Sequence, residues 1–174
     1  MTGAIAILLR MAQNNAWANG RLYAALQGMD RAAFHAPRPG FFPSLKATLN
    51  HIHQVDLYYL DALENGGVGR AVYDAPEIDD IAPLRAAQAA ADARLIAFCA
   101  DLTPDALATP CTTDRPEGSV TETTGALVLH LIQHQIHHRG QAHVQVQAAE
   151  IAPPQLDDFH LDYGRHADAQ RYFE

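Results

Sequence analysis

Four histidines fall within nine residues, His130-Leu-Ile-Gln-His134-Gln-Ile-His137-His138, and Arg139-Gly140-Gln141 follows directly. On an α-helix, residues four apart stack on one face, so His130, His134 and His138 form a ladder of imidazoles. Imidazole nitrogen binds divalent metal ions, and two rings one turn apart can grip a single ion. Two such ligands leave most of the coordination sphere unfilled, so a third must come from another part of the chain. Leu49-Asn50-His51-Ile52-His53 offers it. His51 and His53 point about 200° apart on a helix, so only one can face inward. His51 is favoured, because its face continues into Val55 and Tyr58.

These letters also exclude several site classes. Carboxylate-bridged di-iron bundles need paired Glu-x-x-His motifs, zinc proteases need His-Glu-x-x-His, and c-type haem needs Cys-x-x-Cys-His; the sequence has none of them. A bis-histidine b-type haem is disfavoured, since a large apolar slot would not take three polar ladder residues.

The elements that must position these side chains follow from periodicity. Ile5, Leu8, Leu9, Ala12, Ala16, Leu22 and Leu26 recur at helical spacing over Ala4 to Leu26, and Gly28 stops the run. The first residues are apolar, with neither a basic region before them nor an evident cleavage site after, and are expected to be the start of a mature helix. A proline-punctuated connection, Ala36 to Pro43, leads to Ser44, which can cap a second helix running to about Glu64. Asp79, Asp80 and Pro83 mark a third start, and an alanine-rich run continues to Asp101. Thr103 to Val120, with three prolines and Gly118, is either a loop or a short hairpin, and is read as a loop. Thr121 opens the longest helix, reaching about Glu150 before Pro153-Pro154. Its histidine side, with Gln141 and Gln145, lies opposite Val128, Leu129, Ile132, Ile136 and Val146, so both sides are expected to be buried. A short helix over Asp157 to Tyr163 and a polar tail complete the chain.

Composition supplies the background. The 174 residues form a single expected domain, residues 1–174, with 48% hydrophobic residues and no run long enough to span a membrane. A net charge of −8 without a Lys/Arg cluster argues against nucleic acid as a partner. Cys99 and Cys111 have no CxxC spacing, which suits packing roles and a reducing cytoplasm.

Three segments together resemble the DinB family: Asn15-Ala-Trp17-Ala-Asn19, Phe42-Pro-Ser-Leu-Lys-Ala-Thr-Leu-Asn-His51, and His134-Gln-Ile-His-His138-Arg-Gly-Gln141. The resemblance spans roughly Ile5 to Gly164. It implies an all-α fold, a four-helix bundle of the DinB/YfiT-like type with a short extra C-terminal helix, as a homodimer. It also implies a divalent-metal site of three histidines, His51, His134 and His138, with zinc, nickel or iron as the candidate ions. Three neutral nitrogens leave positions for water or a substrate atom, and a cation lowers the pKa of what it binds, so hydrolysis and thiol transfer are both open. The wider group contains thiol S-transferases and a thiol-dependent isomerase, so the resemblance favours a thiol-dependent transferase acting on a small molecule, with a low-molecular-weight thiol as co-substrate. The alternatives are a metal-binding module without catalysis and a structural homodimer.

Neighbouring residues take expected roles in that frame. His130 shares the ladder's face, as a fourth ligand or as a hydrogen-bonding partner of a ligand, the latter favoured. Gln141 could orient a ligand, and Tyr58 could donate to a bound group, so both are catalytic candidates. Arg139 is expected to pair with a carboxylate on another helix. His53, His137 and His143 are expected to be solvated or interfacial, and Trp17, Tyr58 and Tyr59 to be core. Because ligand imidazoles must be neutral, metal is expected to be lost below about pH 6.

Overall fold

Ser44 turns its hydroxyl onto the backbone N–H of Ala47 at 3.1 Å, the cap that starts the helix carrying His51. In the computed structural model, which describes residues 3–174, that helix is the third of five: α1 (Ala4–Ala25), α2 (Arg31–His35), α3 (Leu45–Leu63), α4 (Ile81–Asp101) and α5 (Thr124–Ala148). Asp30 caps α2 through Ala33, a short helix the periodicity did not signal. Thr123, not Thr121, caps α5 by accepting from Ala126. α1 packs on α4 and α5, and α3 packs on the same two, so the four long helices close into a bundle.

Two apolar clusters fill this bundle. Leu8, Val55, Leu95 and Leu131 belong to one, and Leu22, Leu49, Leu84 and Val146 to the other. Between them, every long helix contributes buried polar residues: Asn15 and Asn19 from α1, Asp56 from α3, Gln88 and Asp92 from α4, Gln135 and Arg139 from α5. Such a layer is tolerable only because its members hydrogen-bond one another.

Three expectations need correction. The segment read as a loop, Thr103 to Val120, carries strand β1 (Pro110–Arg115), paired antiparallel with β2 (Gly118–Thr123). The β-branched Thr112, Thr113, Val120 and Thr121 suit extended backbone. Pro116-Glu117 joins the strands, and Gly118 at φ 128° takes the left-handed region open to glycine. The fold is thus mostly helical with a small sheet against α3 and α5. Near the C-terminus, Asp157 to Tyr163 is irregular, and the last regular element is a 3-10 turn at Ala167–Tyr172. Phe159 is buried beside Trp17, ring centroids 5.6 Å apart, and Arg165 donates to the carbonyls of Phe159 and His160. A side chain therefore satisfies carbonyl groups that a helix would have used. Finally, Leu129 and Ile136 on α5 are 59% and 48% exposed, since α5 packs on its neighbours through its other faces. Val128, Ile132 and Val146 are buried. Among the described residues, no helix is long and apolar enough to cross a membrane.

Candidate metal centre

The register of α3 and α5 brings His51, His134 and His138 to one point on their shared seam. Each offers a ring nitrogen, and these atoms lie within 4.8 Å of one another. Nε2 of His51 and Nε2 of His134 are 3.1 Å apart, close to the spacing of two nitrogens on one tetrahedral ion with bonds of about 2.0–2.1 Å. The His134 ring stands 4.3 Å from that of His138 and 5.0 Å from that of His51.

Hydrogen bonding sets the tautomers. Nδ1 of His138 lies 2.8 Å from Oε1 of Gln141, which can only accept, so the proton sits on Nδ1 and the Nε2 lone pair is free. Nδ1 of His134 is buried without a partner, and its Nε2 faces His51. Burial first, and neighbouring imidazoles second, push His51 down to about 4 and His134 down to about 3. Burial also lowers His138, against the opposing pull of Gln141. All three rings are neutral donors at neutral pH, and the cluster fits a divalent cation. Gln141→Leu is expected to weaken metal affinity by roughly 10–100-fold without unfolding the chain, because it frees the His138 ring to rotate and shift its proton; competition with a chromogenic chelator measures this.

The model of the DinB family matches residues 4–168. The chain belongs to the DinB family. It is 21% identical over 155 residues to Protein DinB of Bacillus subtilis (strain 168), a match covering 85% of this chain and 89% of that one. Two solved structures share the fold. A DinB-like protein from Bacillus cereus ATCC 10987 has a TM-score of 0.62 at 17% identity, covering 80% of this chain and 90% of its own. A DinB-like protein from Bacillus subtilis has a TM-score of 0.59 at 15% identity, covering 82% and 92%.

Around the cluster of this DinB-family chain, the other candidates separate. His130 is exposed; its ring packs 5.1 Å from Tyr59 and 6.3 Å from His134, outside the converging group. Tyr58 is not free to donate to a bound group, because its hydroxyl donates to the backbone carbonyl of Asp114 in the hairpin. His53, expected to be solvated or interfacial, is instead 7% exposed within the chain on the opposite side of α3, with Arg94 of α4 nearby to disfavour its protonation beyond what burial does. His137 is exposed, and its Nε2 accepts from the Gln141 amide nitrogen at 3.1 Å. His143 is half-buried and donates to the carbonyl of Pro154.

Arg139 corrects another expectation. It makes no direct carboxylate pair; its Nη1 donates to Oδ1 of Asn15 at 2.7 Å and of Asn19 at 2.9 Å, and those amides donate in turn to Asp92 at 3.1 and 2.9 Å. Asp56 accepts from Gln88 and Gln135. The polar layer therefore lies directly behind the cluster, with Gln135 and Arg139 each one residue past a histidine and turned inward. Sequence reasoning missed the rim. Phe42 stacks 4.4 Å from His51, and Phe41, 75% exposed, sits 6.4 Å from His138. Two adjacent aromatics between prolines were the available signal.

Proposed function

We propose that this DinB-family chain is a divalent-metal-dependent enzyme acting on small molecules, with transfer to a low-molecular-weight thiol as the leading reaction and hydrolysis as the second. The observation that supports it is a donor set of three neutral imidazoles with no carboxylate. A divalent cation held by His51, His134 and His138 would keep its full charge, so it would favour an anionic fourth partner and make a thiol or water nucleophilic near neutral pH.

The chain's own residues do the rest. Gln141 holds the His138 ring, the buried layer behind α5 fixes the backbone that carries both α5 histidines, and Phe41 and Phe42 shield one side from water and offer apolar contact. In the transfer, the thiol sulfur bonds to an electrophilic carbon of the second substrate, the leaving group departs from that carbon with the bonding pair, and the thiol proton passes to solvent. A reading without turnover, a module that simply holds metal, is favoured by one observation: the Tyr58 hydroxyl is committed to the hairpin.

Elemental analysis, followed by assay of zinc-, nickel- and iron-loaded protein with thiols and electrophiles, tests these readings. One equivalent of metal with metal-dependent thioether formation is expected; metal without turnover under any ion would leave the module. The same assay fixes the pH limit. Since His51 and His134 take protons only near about 4 and about 3, metal is expected to stay bound well below the pH of about 6 suggested by free imidazole, and to leave as pH falls toward 4. Release at pH 6 would show that the rings are not buried neutral donors.

A further inference from the structure

The hairpin carries a cation that the cluster does not use. Strand alternation turns Cys111, Thr113 and Arg115 toward the bundle, while the carboxylate of Asp114 faces the other way, toward Ser119. The Arg115 guanidinium donates to the Tyr59 hydroxyl at 3.0 Å and lies 5.8 and 5.7 Å from the rings of Tyr58 and Tyr59. No carboxylate lies within ion-pair distance of it among the described residues. It is half-buried, so the charge is partly desolvated and oriented, yet unpaired.

Its position relates it to the histidines. Tyr59 packs on His130 at 5.1 Å, and the His130 ring lies 6.3 Å from that of His134, so a chain of rings links the guanidinium to the cluster. Tyr58 stands seven residues past His51 on α3, about 10 Å along the helix axis. We propose that Arg115 binds the carboxylate of a substrate whose reacting end lies at His51, His134 and His138. A planar guanidinium with remaining N–H donors matches a carboxylate in shape and charge, and one cation balances one carboxylate. This rests on the metal reading above and narrows the substrate to an elongated organic acid.

Calorimetric titration of zinc-loaded protein with 8-mercaptooctanoate, 8-mercaptooctanol and the shorter 3-mercaptopropionate tests it. The long acid is expected to bind roughly tenfold more tightly than the matched alcohol. Arg115→Met should abolish that preference and leave 3-mercaptopropionate, too short to reach, unchanged. Tyr59→Phe, which removes the hydroxyl but keeps the ring, should lose part of the preference, and serves if Arg115→Met folds poorly. Zinc binding with equal affinity for acid and alcohol, or a preference that survives Arg115→Met, overturns this inference alone. Failure to hold zinc at all overturns it together with the metal reading.

Discussion

His134→Ala is expected to lower metal affinity by more than about 100-fold and to leave the bundle folded. Loss of a residue that merely orients a ligand costs 10–100-fold, and loss of a ligand exceeds that. Each ring of the cluster neighbours both others: His134 lies 5.0 Å from His51 and 4.3 Å from His138, and His51 lies 4.5 Å from His138. Its removal leaves two nitrogens, from different helices, to hold the ion. The fold should tolerate the change, because Nδ1 of His134 has no partner to lose and Nε2 meets only His51. His138→Ala should behave alike for metal, while His53→Ala and His130→Ala, outside the converging group, should retain it. Elemental analysis after dialysis, with circular dichroism for helix content, checks all four. Full occupancy in both His134→Ala and His138→Ala would sink the ligand assignment.

The parts of this arrangement visible in the sequence are those governed by local rules. The spacing of His134 and His138 fixes their common face, and Ser44 announces the start of α3, whereas the periodicity of α3 separates His51 from His53 only weakly, since both faces carry apolar residues. What lay hidden depends on packing across the chain. His53 is buried because α4 covers the far side of α3, and no periodicity in α3 states what covers it. Leu129 and Ile136 look like core on a helical wheel, yet about half of each stays exposed because α5 packs chiefly through its other faces. The hairpin could have been read from its β-branched threonines and the Pro116-Glu117-Gly118 turn, but three prolines in the surrounding span weighed toward loop. Asn15 and Asn19 were legible as a motif and illegible as partners, since the chain of contacts from Arg139 through them to Asp92 exists only when α1, α4 and α5 meet.

That chain of contacts carries the second large effect. Arg139→Met is expected to cost about 3–5 kcal/mol, because removing one member of a buried ionic group strands the other. Arg139 is 5% exposed, and Asp92 and Asp56, both buried, are the charges that favour its protonated form. Without it, Asn15 and Asn19 would each lose a donor at Oδ1, and Asp92 would keep its amide donors but no nearby cation. The deficit should also depend on pH in a definite direction. Burial, opposed by its hydrogen bonds and by Arg139, raises Asp92 from the usual carboxylate value to about 6. A carboxyl raised on folding contributes stability that is full below the unfolded value and disappears as pH rises through the folded one. Removing Arg139 raises Asp92 further, so the deficit should be smallest near pH 4 and grow toward neutrality. Urea denaturation of both proteins at pH 5 and pH 8 measures it; the buried histidines, common to both, cancel in the difference, whereas Asp56, which Arg139 also pulls down against burial, adds to it in the same direction. Asp92→Asn in the Arg139→Met background removes the stranded charge, so it should recover part of the loss and flatten the pH dependence. An equal deficit at the two pH values would mean that Arg139 acts through packing alone, and that the layer behind the histidines is not held by charge.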